Sequence, residues 1–502
     1  MRSKKVFIYS TVLFFLTLFQ TYSQLTPMEA VVQMGRGINI GNTLEPPDEG
    51  DWNNPPVEEY YFDDYVAAGF STVRIPISWY NHTSTTPPYT VNESWMSRVE
   101  QIVDWGLSRK LFIIINAHHE GWLKDDPSPE NLERFDSIWS QIAVRFQDRS
   151  DSLFFEMINE PYPMPLSTVD SLNARVLSII RKTNPSRIVL FSGHMWSNTW
   201  ELIQAEVPDD DYLMGYFHSY DPYLFGLEGE GIWGSTYDVN MVIANFDRAQ
   251  QWTGETGIPT IIGEFGAVVE CDFNSRSYHY ATYVEQALVH TIVFTVWDDG
   301  GWFRIYERQD REWNHLKDIV VNFSASNPTQ VQVTNQEGES VLLEWVNRTS
   351  ENDSIFIQRG PSPIEWTKIA SLGKDISEYT DIDVTEGETY YYRIDAYFAD
   401  TTDLLSYPVT VEVLKPSNIR ENETGKDLSI FPNPAQDHLQ IILNNNESVL
   451  LVSLYDINGQ LIDRITPEGN TISIPAHHLE KGTYIVEVRT DSNIYSARFV
   501  RQ

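Results

Sequence analysis

Side chains that could do chemistry cluster at or just beyond the ends of short apolar runs. Two of them are carboxylates: Glu160 follows the run 153–158, and Glu264 follows the run 260–262. Amide, guanidinium, imidazole and ring side chains occupy the matching positions of the other runs, namely Asn39, Arg74, His118, His119, Asn159, His218, Tyr220 and Trp297. A purely structural chain has no reason to collect such groups there, so the pattern indicates a functional site.

Two carboxylates held close together suit the cleavage of a glycosidic bond. One must be protonated so that the leaving oxygen can depart, and the other must be ionised to attack the sugar or to activate water. Carboxyl groups about 5–5.5 Å apart would give retention of configuration, and a gap of about 6.5–9.5 Å would give inversion. The alternative is that Glu160 and Glu264 are ion-paired residues with a structural role.

Acyl transfer and metal chemistry fit these residues less well. None of the apolar runs leads into the Gly-x-Ser-x-Gly turn of a serine nucleophile. A metal cluster could be read from His118, His119, Glu120 and His218. However, adjacent histidine side chains should diverge on an extended backbone, and Asn39 stands where barrel metallohydrolases usually have histidine. We therefore expect no metal and no cofactor.

The elements that position these residues alternate in type along the chain. Eight β-rich apolar runs cover 37–40, 72–75, 111–115, 153–158, 188–191, 212–217, 260–262 and 291–296, and amphipathic segments such as 129–146 and 166–181 lie between them. Eight right-handed strand–helix units predict a (β/α)8 TIM barrel, whose functional residues lie at the carboxyl ends of the strands. An open doubly wound sheet is the alternative, but no glycine-rich phosphate loop is present.

Regions outside the predicted barrel, which spans 25–323, have other patterns. Alternating apolar residues predict two small all-β sandwich domains, over 327–414 and 428–502, joined by a polar linker at 415–427. A basic start followed by a short apolar run predicts a secretory signal peptide over 1–23, with an N-terminal anchor as the alternative. The fold class is thus α/β, a barrel followed by two β-sandwiches.

Composition limits the partners of the protein. Thirty-five Lys and Arg residues stand against 71 Asp and Glu residues, so the formal charge is −36. Nucleic acids and anionic membranes require basic patches, so neither is expected as a partner. No later stretch approaches the roughly 18 apolar residues of a membrane span, and the single cysteine, Cys271, excludes an internal disulfide. An exported protein acting on a neutral polysaccharide fits these features.

The strand-end motifs resemble those of glycoside hydrolase family 5. They are Gly37-Ile-Asn39-Ile-Gly-Asn42-Thr-Leu-Glu45, Arg74-Ile-Pro76, Asn116-Ala-His118-His119-Glu120, Ile158-Asn159-Glu160-Pro161, His218-Ser-Tyr220, Ile262-Gly-Glu264-Phe-Gly266 and Val296-Trp297. Seven motifs in order make this resemblance specific over about 25–320. Residues 327–414 resemble a fibronectin type III module, and 428–502 resemble the C-terminal sorting domain of type IX secretion cargo.

The family resemblance implies a role for each site residue. Glu160 would be the general acid/base and Glu264 the nucleophile of a retaining mechanism. Arg74 would keep Glu264 ionised, and Tyr220 would orient it. The other positions would contact the sugar: Asn159 at its 2-hydroxyl, His118 and His218 at hydroxyls and carboxylates, Trp297 beneath the −1 sugar, and Asn39 and His119 in the same substrate-binding site.

These expectations define a secreted or cell-surface endo-β-1,4-glucanase (cellulase) that hydrolyses β-glucan with retention. A β-mannanase, xyloglucanase or mixed-linkage glucanase is the alternative on the same barrel. A surface polysaccharide-binding protein with a vestigial barrel is the alternative that is not an enzyme. The sorting domain implies the type IX secretion machinery as a second partner. The aromatic residues of 327–414 alternate as core residues do, so we expect that domain to be a spacer, with polysaccharide binding as the alternative.

Overall fold

A computed structural model describes residues 24–502 except for 53, 416–419, 422–427, 444–446, 458–460, 468, 470, 478 and 491–492. The predicted signal peptide at 1–23 and most of the linker at 415–427 therefore lie outside the described residues. Within the described part of the chain, no helix combines the length and apolar character needed to cross a membrane.

Eight parallel strands close into a barrel in sequence order, with the first strand paired to both the second and the eighth. They are β1 (Arg36–Asn39), β2 (Thr72–Ile75), β3 (Phe112–Asn116), β4 (Leu153–Glu156), β5 (Val189–Phe191), β6 (Leu213–Ser219), β7 (Thr260–Phe265) and β8 (Val293–Val296). The predicted (β/α)8 barrel is confirmed. Two strands run further than predicted, because β6 and β7 continue pairing through the polar residues His218 and Glu264.

Helices surround the barrel and cover its apolar strands. They are α1 (Pro27–Met34), α2 (Tyr60–Ala68), α3 (Glu93–Ser108), α4 (Gly121–Asp125), α5 (Pro129–Arg145), α6 (Leu166–Ile180), α7 (Thr199–Leu202), α8 (Tyr223–Gly226), α9 (Thr236–Thr256), α10 (Phe273–Val289) and α11 (Leu316–Asn322). Helix α5 illustrates how an apolar face covers the barrel. Its residues Phe135, Ile138, Trp139 and Ile142 recur at helical spacing and are all buried. A short hairpin, β9 (Tyr306–Glu307) and β10 (Glu312–Trp313), precedes α11.

The region 327–414, here called the middle domain, consists of two antiparallel sheets. One has the order β11 (Thr329–Gln336), β12 (Ser340–Val346), β15 (Glu378–Asp381); the other has the order β14 (Glu365–Gly373), β13 (Ser354–Ser362), β16 (Thr389–Tyr397), β17 (Leu404–Leu405), with β18 (Val409–Glu412) also paired to β16. Val341, Leu343 and Trp345 are buried and alternate with more exposed residues, as the sequence predicts. Its likeness to a fibronectin type III module stays a prediction.

The C-terminal domain, 428–502, also has two sheets among its described residues. A five-stranded sheet contains β19 (Arg420–Glu421), β22 (Val449–Asp456), β23 (Leu461–Ile465), β25 (Gly482–Thr490) and β26 (Ile494–Arg501), and a three-stranded sheet contains β20 (Leu428–Phe431), β21 (His438–Leu443) and β24 (Thr471–Pro475). Its buried apolar residues form a cluster of their own. Strand β19 shows that part of the predicted linker pairs with this domain.

The middle domain packs directly against the barrel helix α10. The Asn274 amide exchanges two hydrogen bonds with the backbone of Thr410, at 2.9 and 2.6 Å. The rings of Tyr278 and Tyr407 stack with their centroids 5.3 Å apart. Buried apolar residues form one continuous cluster through both regions, so the barrel and the middle domain share a core.

This shared core predicts the thermal unfolding of the chain. The barrel and the middle domain should unfold in one calorimetric transition, because separating them would expose their common apolar cluster to water. The C-terminal domain, with its separate core, should give a second transition. Deleting residues 416–502 should remove the second transition and leave the first in place. Separate transitions for barrel and middle domain in that truncated chain would contradict this prediction.

Candidate active site

The arginine of strand β2 lies at the centre of the site, and its side chain is fully buried. The guanidinium of Arg74 donates from Nε and one terminal nitrogen to the two carboxylate oxygens of Glu156, both at 2.7 Å. Its remaining hydrogen bonds go to Glu264 Oε1 at 2.7 Å, Asn159 Oδ1 at 2.8 Å and Asn39 Oδ1 at 3.0 Å. A guanidinium has five N–H donors, so every one of them is used.

The barrel register brings these partners together. Asn39 lies beside Arg74 across the β1–β2 pairing, and Asn116 lies beside Glu156 across the β3–β4 pairing. The amide of Asn116 adds a hydrogen bond to Glu156 Oε1 at 2.9 Å. Because parallel strands end at one face of the barrel, polar residues from distant parts of the chain meet in a single layer.

The carboxylate of Glu264 on β7 accepts hydrogen bonds on both oxygens. Arg74 donates to Oε1, and the Tyr220 hydroxyl donates to Oε2 at 2.9 Å. Burial, together with the nearby charges of Glu264 and Glu160, raises the pKa of Tyr220 well above its usual range. The phenol therefore keeps its proton and remains a donor to Glu264.

Glu160 lies beyond the end of β4 and is the more open of the two carboxylates, with its side chain 25% exposed. Its backbone adopts a φ of 37°, in the left-handed region that non-glycine residues uncommonly occupy. Its Oε1 lies 2.7 Å from His218 Nδ1, and the same nitrogen is 3.6 Å from Glu264 Oε2. Facing oxygens of Glu160 and Glu264 lie within 4.8 Å of each other.

Two glycines allow the rings to approach the strands. A Cβ on Gly263 would lie 2.8 Å from His218 Nε2, and a Cβ on Gly41 would lie 2.8 Å from the ring of Trp297. A methyl group at either position would displace the ring that it meets. The motifs Ile-Gly-Glu and Ile-Gly-Asn therefore need their glycines for side-chain placement.

The two histidines that follow β3 also lie at the site, and His118 is 3.1 Å from the Asn116 amide nitrogen. The His118 ring lies parallel to the Trp297 ring at 6.1 Å, and the more exposed His119 ring contacts Trp52 edge-on at 5.7 Å. Burial lowers the pKa of His118 well below its usual range and that of His119 to about 4, so both rings are neutral near pH 7.

The expected divergence of the two adjacent histidines is wrong. Their rings are 4.6 Å apart and nearly perpendicular. Potential ligand atoms of Glu45, His118 and His119 lie within 4.8 Å of one another. The backbone leaves its extended course after β3 and enters a loop before α4, which lets both rings face the site.

Two carboxylates of the site were missed at the sequence level. Glu156 lies inside an apolar run and reads as part of a buried strand; a charge within such a run is the signal that could have found it. Glu45 stands in the first motif but was given no role. Its Oε2 accepts from the Thr43 backbone N–H at 2.9 Å, whereas Oε1 is buried, has no hydrogen-bond partner among the described residues and lies 4.0 Å from His118 Nε2.

Other strand-end residues have structural roles. Asp298 accepts from the backbone of Ile305 and Tyr306 and pairs with Arg308 at 3.0 Å. Trp79 and Trp233, which also lie beyond strand ends, are buried in the core. Exposed rings in the loops beyond the strand ends are Trp52, Tyr162, Trp196 and Trp302, and Trp200 is exposed on α7. Tyr162 and Trp196 stack at 4.2 Å with their planes 15° apart.

A closed eight-stranded barrel with two carboxylates close together at its strand ends is the architecture of a retaining glycoside hydrolase. A family model described as Cellulase (glycosyl hydrolase family 5) matches residues 32–300, more than half of the chain. The chain therefore belongs to glycosyl hydrolase family 5. A second model, described as a secretion system C-terminal sorting domain, matches residues 429–502.

Several known proteins are similar to this chain. Endoglucanase H of Acetivibrio thermocellus is 44% identical over 295 residues, which are 57% of this chain and 33% of that protein. This chain thus spans about a third of that relative's length. Endoglucanase Cel5A of Thermotoga maritima has a TM-score of 0.57 and 32% identity over 59% of this chain and 100% of that one, and Cel5A structures hold cellobiose and mannotriose. A tri-modular endo-β-1,4-glucanase of Bacillus licheniformis shares only the fold, with a TM-score of 0.67 and 23% identity over 95% of this chain and all of that chain.

The buried Glu45 predicts a pH-dependent change in stability. Burial raises the pKa of its carboxyl to about 8, assisted by the charge of Glu264 and opposed by hydrogen bonds from the backbone of Asn42 and Thr43. The folded state therefore retains a proton that the unfolded state has lost, so stability falls as the pH rises from about 4.5 to about 8. Glu45→Gln mimics the protonated carboxyl group, so its stability should not fall in this way as the pH rises.

We expect the Tm of Glu45→Gln, relative to wild type, to rise by a few degrees between pH 5 and pH 8 (values bracketing the shift). Thermal unfolding followed by circular dichroism measures this difference. The exposed Glu58→Gln removes one acidic group at the surface and serves as the control. Parallel Tm curves for wild type and Glu45→Gln would contradict the prediction.

Proposed function

We propose that this chain is an endo-β-1,4-glucanase that cleaves β-glucan with retention, using Glu160 as the general acid/base and Glu264 as the nucleophile. The observation that carries the proposal is the approach of their oxygens to within 4.8 Å. That spacing suits direct attack on the sugar and leaves no room for the water that an inverting enzyme activates.

The first step forms a covalent glycosyl-enzyme. Glu264 attacks the anomeric carbon while Glu160 gives its proton to the glycosidic oxygen, so the carbon–oxygen bond to the leaving sugar breaks as the bond to Glu264 forms. Arg74 and Tyr220 hold both oxygens of Glu264 in place. The nucleophile therefore needs little reorganisation to attack.

The second step reverses the role of Glu160. Having lost its proton, its carboxylate takes a proton from water, and the resulting hydroxide equivalent attacks the anomeric carbon and releases Glu264. The hydrogen bond between His218 Nδ1 and Glu160 Oε1, at 2.7 Å, orients Glu160 in both steps. The 25% exposure of the Glu160 side chain gives water access to it.

The remaining residues suit the binding of a glucan chain. Trp297 offers a ring face for the −1 sugar, and Asn159 lies within hydrogen-bond range of its 2-hydroxyl in this proposal. Glu45, His118 and His119 present polar atoms to the same side of the site. Exposed rings of Trp52 and of the Tyr162–Trp196 stack extend the site along the barrel face, which favours attack within a chain rather than at its end.

Several polysaccharides are candidates for the substrate, and they differ in the sugar of their main chain. The 44% identity to an endoglucanase favours glucan. The mannotriose complex of Cel5A keeps β-mannan as the second candidate. Xyloglucanase and mixed-linkage glucanase activities use the same strand-end residues and remain further alternatives.

Export is proposed from the two ends of the chain. The match of 429–502 to a sorting domain supports handling by a type IX secretion machinery. A signal peptide over 1–23, a fibronectin type III-like middle domain at 327–414 and a secreted or cell-surface location complete the proposal. Residues 1–23 carry the basic start and apolar run on which the signal peptide rests.

Product analysis tests both substrate and mechanism. Wild type, Glu264→Ala and Glu160→Ala are each given carboxymethyl-cellulose, mixed-linkage β-glucan, xyloglucan, glucomannan and galactomannan. We expect rapid oligosaccharide release from the glucans by wild type. Either substitution should lower turnover by several orders of magnitude, because each removes a partner in bond cleavage. Azide should partly restore Glu160→Ala on a substrate with a good leaving group.

The outcomes separate the alternatives. If the enzyme preferred galactomannan or xyloglucan, the proposed mechanism would stand but the assigned substrate would be wrong. Near-normal turnover by either carboxylate variant would contradict the assigned roles. Equal, negligible release by wild type and Glu264→Ala on every substrate would favour the binding-protein alternative.

A further inference from the structure

The middle domain carries a cavity of about 540 Å³ that is separate from the strand ends of the barrel. It lies on the outer face of the sheet formed by β13 and β16, beneath the loop 398–403 that leads into β17. Side chains from the two strands form its floor, and the loop forms one wall. Its volume is in the range of pockets that bind small ligands, about 300–1,000 Å³.

The floor of the cavity contains a buried carboxylate with one oxygen unused. Asp395 is only 3% exposed. Its Oδ2 accepts from the Gln358 side chain at 2.9 Å, whereas Oδ1 is buried and has no partner among the described residues. A buried carboxylate oxygen without a hydrogen-bond partner is unfavourable, so a hydrogen-bond donor supplied by a ligand would complete the site.

A cation stands beside this carboxylate. The Nε of Arg393 donates to Gln358 Oε1 at 2.7 Å, and its guanidinium lies 4.5 Å over the Trp366 ring. Burial and the charge of Asp403 raise the pKa of Asp395 to about 6, while the Gln358 hydrogen bond and the charges of Arg393 and Lys368 lower it. Near pH 7 the cavity therefore presents both signs of charge.

Aromatic and hydroxyl-bearing side chains also line the cavity. Tyr397 and Phe398 line the cavity, and Tyr397 is fixed by stacking on Phe356 at 4.5 Å. Thr401 and Thr402 line it from the exposed loop. That loop is held by the Phe398 backbone N–H, which donates to Asp403 at 3.1 Å.

These groups select the class of ligand. Because the cavity presents both signs of charge, a simple anion or a simple amine would match only some of its groups. A neutral sugar satisfies all of them, because vicinal hydroxyls can donate to Asp395 and accept from Arg393 while the apolar face of the ring covers an aromatic side chain. We propose that the middle domain is a second saccharide-binding site, which binds a short segment of β-glucan chain on the outer face of the β13–β16 sheet.

This proposal replaces the expected spacer with a binding domain. The choice of β-glucan rests on the proposed function, whereas the cavity and its unused carboxylate oxygen do not. Because the middle domain shares a core with the barrel, a chain held there stays attached to a body that also carries the catalytic site. The effective concentration of polysaccharide at the enzyme rises accordingly.

Calorimetric titration of the full chain with cellohexaose tests the proposal, in a Glu264→Gln background that prevents hydrolysis. Asp395→Leu removes both carboxylate oxygens at nearly constant size. Thr402→Trp, on the exposed loop, blocks the cavity without altering the buried network. Asp400→Leu is the matched control, since Asp400 is exposed, lies in the same loop and does not line the cavity.

We expect two binding sites per parent chain, one after Asp395→Leu or Thr402→Trp, and two after Asp400→Leu. A parent with a single site that both cavity variants abolish would support the saccharide site and count against the catalytic cleft as a glucan site. The proposal is overturned if the cavity variants bind as the parent does, if Asp400→Leu causes the same loss, or if the parent does not bind at all.

Discussion

The whole site depends on one buried cation held between two carboxylates. The side chain of Arg74 is fully buried. A buried guanidinium charge is tolerated only where each of its hydrogen-bond donors has a partner. Its five hydrogen bonds reach residues of β1, the end of β4, the loop after it, and β7. Only a closed parallel barrel brings these strand ends to one point, so the fold and the site impose the same requirement. Glu156 forms the bidentate pair and fixes the guanidinium plane; the remaining donors then define where Glu264 must lie.

That arrangement makes the two carboxylates proposed as catalytic different, although both are glutamates. Glu264 is buried and held by a guanidinium and a phenol, which fits a nucleophile that stays in one position. Among the described residues, the one hydrogen-bond partner of the Glu160 carboxylate is the imidazole of His218, and Glu160 also has an exposed edge and a positive φ. It fits a group that must exchange protons with a leaving sugar and with water. The imidazole Nδ1 lies within reach of both carboxylates, and the absence of a Cβ on Gly263 lets the ring come close to β7.

Much of this could be read from the sequence, because strand-end motifs are local. All eight barrel strands were found, and Arg74, Tyr220 and His218 make the contacts with Glu264 and Glu160 that the motifs imply. Glu156 was missed because it lies within a hydrophobic run that was interpreted as a wholly apolar strand. Its role also depends on Arg74, which is 82 positions away in the sequence. Trp79 and Trp233 are buried although they lie beyond strand ends, so the position of an aromatic residue after a strand does not by itself predict that it lines the site. The cavity on the middle domain had no motif at all, since its floor joins alternate residues of two strands to a loop.

The central claim is that Glu264, placed by Arg74, forms the covalent intermediate. Incubation with an activated 2-deoxy-2-fluoro-cellobioside should trap that intermediate, because the fluorine slows both steps and the good leaving group lets the first proceed. Peptide mass spectrometry then locates the adduct. The account predicts one fluorocellobiosyl group per chain, attached to the peptide that contains Glu264 and absent in Glu264→Gln. An adduct on Glu160 or Glu156, or hydrolysis of a glucan without any trapped species, would contradict it.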